Sequence, residues 1–414
     1  MNRHVIIGNG GAAISALRVI REHRPQDEIV LISKEDVPAY SPLLTPYYIS
    51  GHIPYKGMFI VDQDFYARNN VVALFGHPAT GVDTARNLVY VEKSPPVEYD
   101  NLLIATGSSP FRPPVEGADL PGVLTLWTIA DARQLRKAIS HAQSATVGGA
   151  GFIAIHVTGA LVEAGKDVNI LVRSRIMRRM LDQEAADLLQ KELRKHGVKI
   201  CLGEEIERIQ KNGKKLTVRL TSGTATITDL VVLATGISAN TKFLKNSGVV
   251  VNSGIVVDQH CRTNIANIYA AGDVAESQDP ITGKFRVNAT WINAQEQGRI
   301  AGLNMAGKEI SQFKTTPINV FSFKGFTFAS MGHIQESEEV EIVQSRNGGN
   351  YRKLVFREGQ LIGALLVGRM DDAGLLAALI DRRLQLTDFS KPETSVQLLR
   401  QSAWALLPPA MRIN

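Results

Sequence analysis

His4 to Ala16 reads HVIIGNGGAAISA, and no other stretch restricts the fold of this chain as strongly. A short apolar run, His4-Val5-Ile6-Ile7, ends at Gly8, and Gly10 and Ala13 complete a G-x-G-x-x-A pattern. Ile14, Leu17 and Ile20 then recur at helical spacing. Strand, tight glycine turn and helix in this order open a dinucleotide-binding βαβ unit. Gly8 permits the turn, and Gly10 lets a pyrophosphate approach the backbone. Ala13 lets the helix close on the strand, and the helix N-terminus faces the anion. Gly11 and Ala12, inside the same turn, are candidate cofactor-binding residues with them. Taken alone, the pattern reads equally as a glycine-rich turn.

The chain repeats the device. Ala145 to Ala154 reads ATVGGAGFIA, with Gly149, Gly151 and Ala154 in the small positions around Phe152 and Ile153. Its helix runs to Ala164 and stops at Gly165, a natural C-terminal cap. Each half also contains an apolar strand ending in A-T-G: LLIATG at 102–107 and LVVLATG at 230–236. A duplicated nucleotide-binding domain accounts for both repeats. At 414 residues, two to three domains are expected.

Glu28 to Ser33 reads as the second strand of the first unit. An acid beyond its end would hold an adenosine ribose, and Glu35 is the candidate; the alternative is a surface Glu in a polar turn. Phe65–Ala67 suggests a short helix, Val71–Phe75 a strand, and Asn87–Glu92 a small antiparallel excursion. Pro110, Pro113, Pro114 and Pro121 mark a linker. Helices are expected over Asp131–Ile139, Gln183–His196 and Trp291–Ala306, the last with a small-residue face of Ala294, Gly298 and Ala301. Ile268–Ala275 reads as an apolar strand holding Gly272-Asp273. After Thr315 short strands follow at Asn319–Phe323, Lys353–Phe356 and Leu361–Val367, then a helix at Ala373–Ile380 and a tail rich in Leu and Gln.

Cys201 and Cys261 are the only cysteines, too few for a disulfide framework, a zinc site or an iron–sulfur site. No metal site is expected. No apolar run approaches bilayer length, and the first strand begins by residue 4. A cytoplasmic protein with neither membrane nor nucleic-acid partner is expected. The net charge of +6 reads as ordinary solvated surface, with attraction to an acidic partner as the alternative.

With these pieces placed, the chain resembles the pyridine nucleotide-disulfide oxidoreductase superfamily over nearly its whole length. The carrying residues are Gly8–Ala13, Ala105-Thr106-Gly107, Gly149–Ala154, Ala234-Thr235-Gly236, Tyr269–Asp273, and Trp291, Ala294, Gln297, Gly298 and Arg299 of W-x-x-A-x-x-Q-G-R. The resemblance implies an α/β fold with two Rossmann-like domains and a C-terminal α+β interface domain. An FAD-binding domain would span 1–112 and 240–314, an NAD(P)-binding domain 113–239, and the interface domain 315–414. Asp273 would accept hydrogen bonds from flavin ribityl hydroxyls, though it also reads as the N-cap of a following helix. The helix from Trp291 would aim its N-terminus at the flavin. Ala79 and Gly236 join the cofactor-binding residues the resemblance implies.

Departures narrow the subgroup. The redox cysteine pair of the disulfide reductases is absent. Tyr40–Gly51 resembles the Y-S-R-P-L-L-x-Y-Y-L-x-G of the rubredoxin reductase and nitrite-reductase-flavin group, with Pro42 in place of Arg. Leu126-Trp127-Thr128 stands where relatives have Leu-Arg-Thr. His156 stands where they place a nicotinamide-site Glu, and is read as a structural helix histidine. Tyr351–Leu354 and Gly363–Gly368 fit the same group. Some of its members are FAD subunits of multisubunit iron–sulfur enzymes, such as phenylglyoxylate dehydrogenase and tungsten aldehyde oxidoreductase.

The resemblance therefore implies an FAD-dependent NAD(P)H:acceptor oxidoreductase with an iron–sulfur electron-transfer partner or the subunits of a larger complex, a homo-oligomer staying open. No protein acid, base or nucleophile is required, so no catalytic side chain is named. The alternatives are a stand-alone NAD(P)H oxidase, a ferredoxin or rubredoxin reductase, and a flavin-bound interaction protein. Arg173, after the second-domain strand, could pair with a 2′-phosphate. Relatives with the same V-R-S use NAD, so both nucleotides are expected to bind, with NAD as the working cofactor.

Overall fold

The computed structural model describes residues 1–311 and 316–384. The Leu- and Gln-rich tail lies outside the described residues. The chain divides into two compact units, one of Met1–Arg173 with Gly203–Phe313, the other of Ser174–Leu202 with the chain after Phe313.

The first unit is built on a five-stranded parallel sheet in the order Ile268–Ala270, Asn101–Ile104, Arg3–Ile7, Glu28–Ser33, Val71–Phe75. Its strands are apolar almost without interruption because both faces are covered. Ile6, Ile29, Leu31, Leu103 and Tyr269 pack into one cluster with the helices Gly11–His23 and Trp291–Met305. Their neighbours Val5, Ile7, Val30, Ile32, Leu102 and Ile104 pack into a second cluster on the opposite face. The expected excursion is the middle strand, Leu88–Val91, of a three-stranded antiparallel sheet with Ala79–Asp83 and Ser94–Glu98.

A second parallel set follows the same plan, in the order Asp167–Val172, Ser144–Gly148, Leu230–Leu233, Val123–Leu124. Its helix Phe152–Glu163 ends before Gly165, whose φ is +70°. The helix Ile129–His141 starts two residues earlier than the sequence suggests. Thr128 caps it through a reciprocal pair with Asp131, a capping box. An antiparallel sheet of Ile206–Asn212, Lys215–Leu220 and Ala225–Thr228 interrupts the parallel order. A two-stranded ribbon, Ser108–Pro110 against Ile237–Ala239, joins the segments that leave the two A-T-G turns.

The second unit holds a five-stranded antiparallel sheet: Ile318–Phe323, Phe326–Gly332, Gln360–Val367, Asn350–Arg357, Glu341–Asn347. The helix Ala373–Arg382 packs on its Phe326–Gly332 and Gln360–Val367 strands. Within this unit Asp182 caps the helix Gln183–Lys195 and accepts a hydrogen bond from the Tyr351 hydroxyl at 2.5 Å. Lys353 is fully buried, with its ammonium 2.7 Å from Glu336 and 3.6 Å from Asp182. No helix of the described residues is long and apolar enough to cross a membrane.

Candidate cofactor sites

The two glycine turns have the same geometry down to single hydrogen bonds. The Gly8 amide donates to Ile32 O at 2.8 Å, and Ala105 N donates to Ile7 O at 2.7 Å. In the second half Gly149 N donates to Leu171 O at 3.2 Å, and Ala234 N to Gly148 O at 2.8 Å. Gly8 has φ +119° and Gly149 φ +120°. A Cβ on Gly8 would lie 2.1 Å from Ala105 O, and one on Gly149 2.2 Å from Ala234 O. Each first glycine is thus compelled by the A-T-G strand end of its own half.

The residues fit a pyrophosphate at both turns. Among the described residues, a Cβ on Gly10 or Gly151 would meet no atom within 4 Å. Both are N-caps without a capping side chain, and neither helix has an acid in its first turn. No N-cap side chain occupies the first-turn amides, and the ground at Gly10 and Gly151 is clear of side chains, as an anion requires. Ala13 and Ala154 are fully buried under these turns, Ala12 is buried beside them, and Phe152 and Ile153 open the second helix half-buried.

Long-range contacts hold the first turn. Asn9, between its glycines, donates to Val37 O at 3.1 Å and accepts from the Tyr66 hydroxyl at 2.8 Å. That hydroxyl in turn accepts from Ala39 N at 2.9 Å. Trp291 lies flat enough on Gly11 that a Cβ there would be 2.9 Å from its ring. The helix Trp291–Met305 approaches Gly11–His23 backbone to backbone. A Cβ on Gly298 would lie 2.1 Å from Ala12 O, and one on Gly302 2.7 Å from the Ala16 Cα. Gln297, fully buried, accepts from Gly272 N at 2.9 Å and donates to Ser277 at 3.2 Å, fixing the turn before Asp273.

Asp273 is no helix cap. The strand Ile268–Ala270 ends early, Gly272 turns at φ +83°, and another strand, Ala275–Gln278, follows. The Asp273 carboxylate accepts from Ser108 at 2.9 Å, while burial raises its pKa against that hydrogen bond. It is a half-buried acid with one donor among the described residues and acceptor capacity to spare. Asp273→Ala is expected to purify folded with less than a tenth of wild-type flavin, measured as the 450 nm to 280 nm absorbance ratio. Full flavin content in the variant would count against the assignment.

Glu35 is tied down rather than loose in a polar turn. The Tyr40 hydroxyl donates to both carboxylate oxygens, at 3.0 and 3.1 Å, and accepts from Ile129 N at 3.0 Å. Burial raises the pKa of Glu35, opposed by the Tyr40 hydrogen bond. Ala79 starts the strand paired with Leu88–Val91 and packs on the sheet's core. Around the first A-T-G, Thr106 donates to Asn240 O and the Asn240 amide returns a bond to Thr106 O, both at 2.9 Å. Gly107 and Gly236 take φ of +63° and +140°. Thr235 donates to Phe111 O and Phe111 N to Gly236 O, both at 2.9 Å, so the two A-T-G ends are stitched through the ribbon.

His156 lies half-buried on the second turn's helix with its ring 4.6 Å from that of Phe152. Burial pushes its pKa down to about 4. An unfolded histidine titrates near 6.5, so between those values the unfolded chain binds more protons than the folded one. Its contribution is complete above about pH 6.5 and is lost as pH falls towards 4, a change of about 3 kcal/mol. Denaturant titrations between pH 7 and 4 should show a shallower loss of stability in His156→Leu. Parallel slopes would contradict this placement.

Arg173 is exposed, with its guanidinium 3.5 Å from Glu205. Cys261 is fully buried, which pushes its thiol pKa well up, and Cys201 is half-buried on the strand Lys199–Leu202.

Residues 2–298 match the Pyridine nucleotide-disulphide oxidoreductase family, and residues 317–384 the Rubredoxin NAD+ reductase C-terminal domain. The chain belongs to the pyridine nucleotide-disulphide oxidoreductase family, and it is an FAD- and NAD(P)H-dependent oxidoreductase. It is 33% identical over 391 residues to the NADH-dependent phenylglyoxylate dehydrogenase subunit epsilon of Aromatoleum evansii, with 93% of each chain covered. It is 27% identical to the rubredoxin-NAD(+) reductase of Ectopseudomonas oleovorans, covering 91% of this chain and 98% of that one. Its fold matches the water-forming NADH oxidase from Lactobacillus brevis, solved bound to NADH, with a TM-score of 0.89, 98% of each chain covered and 23% identity.

Proposed function

We propose that this chain takes electrons from NADH onto FAD and passes them to an iron–sulfur partner, either a separate electron-transfer protein or other subunits of a larger oxidoreductase. The observation that carries the reading is the pair of matched turns, Gly8 closed by Ala105 and Gly149 closed by Ala234. In this reading 1–112 with 240–314 bind FAD, 113–239 bind the nicotinamide nucleotide, and 315–414 form the interface domain. Gly8, Gly10 and the amides of Gly11–Ala13 cradle the FAD pyrophosphate, Glu35 its adenosine ribose, and Asp273 its ribityl chain. The amides that follow Gly149 and Gly151 cradle the second pyrophosphate. Bound FAD supplies the exchange between two-electron nicotinamide chemistry and one-electron acceptor chemistry. The side chains bind and orient; none is required to carry a proton or a covalent intermediate.

The sequence contains no cysteine in the Tyr40–Gly51 segment and only Cys201 and Cys261 elsewhere. That separates this chain from thiol-based reductases and supports flavin-to-partner transfer. The names of the Aromatoleum and Ectopseudomonas relatives point to the same class of work. The test is an acceptor competition after alkylation with iodoacetamide. Alkylated protein supplied with NADH should reduce a ferredoxin or rubredoxin at the untreated rate, at least tenfold faster than it consumes oxygen. Loss of activity on alkylation without unfolding, or oxygen consumption outpacing the iron–sulfur acceptor, would overturn the reading.

A further inference from the structure

We propose that Glu205 sets the choice of nucleotide, by pairing with Arg173 and excluding a 2′-phosphate. The proposal rests on the reading of 113–239 as the nicotinamide-nucleotide half.

Asp167–Val172 lies parallel and adjacent to Ser144–Gly148, the strand that leads into the Gly149 turn. In a βαβ unit the end of this neighbouring strand faces the adenosine ribose, and the residue there distinguishes a 2′-hydroxyl from a 2′-phosphate. Arg173 occupies that end and, standing alone, would select the phosphate. It does not stand alone. Gly203 N donates to Val172 O at 2.8 Å, bringing the returning chain against the strand end. Thr221 N donates to Glu205 O at 3.1 Å, and Glu205 N to the Thr221 hydroxyl at 3.3 Å. This anchorage sets the Glu205 carboxylate 3.5 Å from the Arg173 guanidinium.

A second acid, Glu204, precedes Glu205 in the chain. The Glu204 carboxylate accepts from Ser222 N at 3.3 Å and from the Thr221 hydroxyl at 3.2 Å. Hydrogen bonds from Ser222 and then Thr221 hold it below the usual carboxylate range, so it is ionised at neutral pH. Glu205 therefore occupies the guanidinium that a 2′-phosphate would need, and sets a carboxylate where the phosphate dianion would approach. The Arg175 guanidinium is held elsewhere, donating to Arg178 O and Leu181 O at 3.2 and 3.1 Å. An exposed ion pair of this kind adds little to stability. Its effect is on what charge can approach.

The experiment compares kcat/KM for NADH and NADPH in wild type, Glu205→Gln, Arg173→Ala and the double variant, reading flavin bleaching in the FAD-loaded protein. Wild type should prefer NADH. Glu205→Gln should raise kcat/KM for NADPH at least tenfold, through KM, with the NADH value changed less than threefold. Adding Arg173→Ala should abolish that gain, and the gain should shrink at high ionic strength. A Glu205→Gln ratio within twofold of wild type, or a wild type that prefers NADPH tenfold, would overturn this proposal and leave the oxidoreductase reading standing. Wild type bleached by neither nucleotide would overturn both.

Discussion

Gly149→Ala should give a folded, yellow protein whose flavin NADH reduces at least a hundredfold more slowly than in wild type. The cause is steric and local. A methyl on Gly149 would lie 2.2 Å from the Ala234 carbonyl oxygen, in a backbone conformation of φ +120° that side chains rarely adopt. The turn must open, carrying the first amides of the Phe152–Glu163 helix off the position the pyrophosphate needs. The FAD half has its own turn, its own closing strand end and its own core clusters, so flavin content should stay above four-fifths of wild type. Gly151→Ala is the graded control. A methyl there meets no atom of the described residues within 4 Å, so the backbone tolerates it while the nucleotide does not. It should raise KM for NADH with little change in the flavin. Stopped-flow bleaching at 450 nm measures both variants. Equal rates for Gly149→Ala and wild type would refute the nucleotide role of the second turn.

Gly8→Ala should abolish FAD binding and destabilise the chain by about 3 kcal/mol or more, the range of severe backbone and packing defects. Its methyl would lie 2.1 Å from Ala105 O, at φ +119°. The damage spreads further than in the second half because the first turn is over-determined. Asn9 is held through Tyr66 and Val37, and the adjacent Gly11 lies under the Trp291 ring. A shift at Gly8 therefore pushes on the contact of the Gly11–His23 and Trp291–Met305 helices, which at Gly298 and Gly302 has no space to give. Cofactor release after denaturation and the urea midpoint test the two effects separately. A yellow Gly8→Ala protein with a wild-type midpoint would contradict the account of this turn.

The glycine turns were legible in the sequence because steric law leaves few residue types for them, and duplication makes each half evidence for the other. Gly8 and Gly149, the two A-T-G ends and the helices after the turns all fall where the residue types demand. What supports the turns was illegible for an equally physical reason. Asn9 with Tyr66, Thr106 with Asn240, and Glu35 with Tyr40 and Ile129 are hydrogen bonds between residues whose types are unremarkable and whose spacings carry no period. The sequence pattern places the small-residue face of the Trp291 helix at Ala294, Gly298 and Ala301. The closest approach is made by Gly298 and Gly302, because the partner helix offers Ala12 and Ala16 four residues apart. Asp273 read as a helix cap as well as a flavin ligand, since a Gly-Asp turn signals either; the following chain is the strand Ala275–Gln278. In the second unit Phe326–Gly332 and Glu341–Asn347 went unseen, the first because its buried Phe328-Ala-Ser-Met331 run has no alternation to read, the second because it is a largely polar edge strand.

The central claim, that one chain brings a nicotinamide nucleotide and FAD together and hands electrons onward singly, is tested most directly by an anaerobic titration. NADH is added to purified FAD-loaded protein while the 450 nm band is followed, and an oxidised one-electron iron–sulfur protein is added at the end point. The account predicts complete bleaching by one equivalent of NADH per flavin, then full recovery of the band with two equivalents of the iron–sulfur protein reduced. Flavin that NADH leaves oxidised, or bleached flavin that the iron–sulfur protein cannot reoxidise, would contradict it.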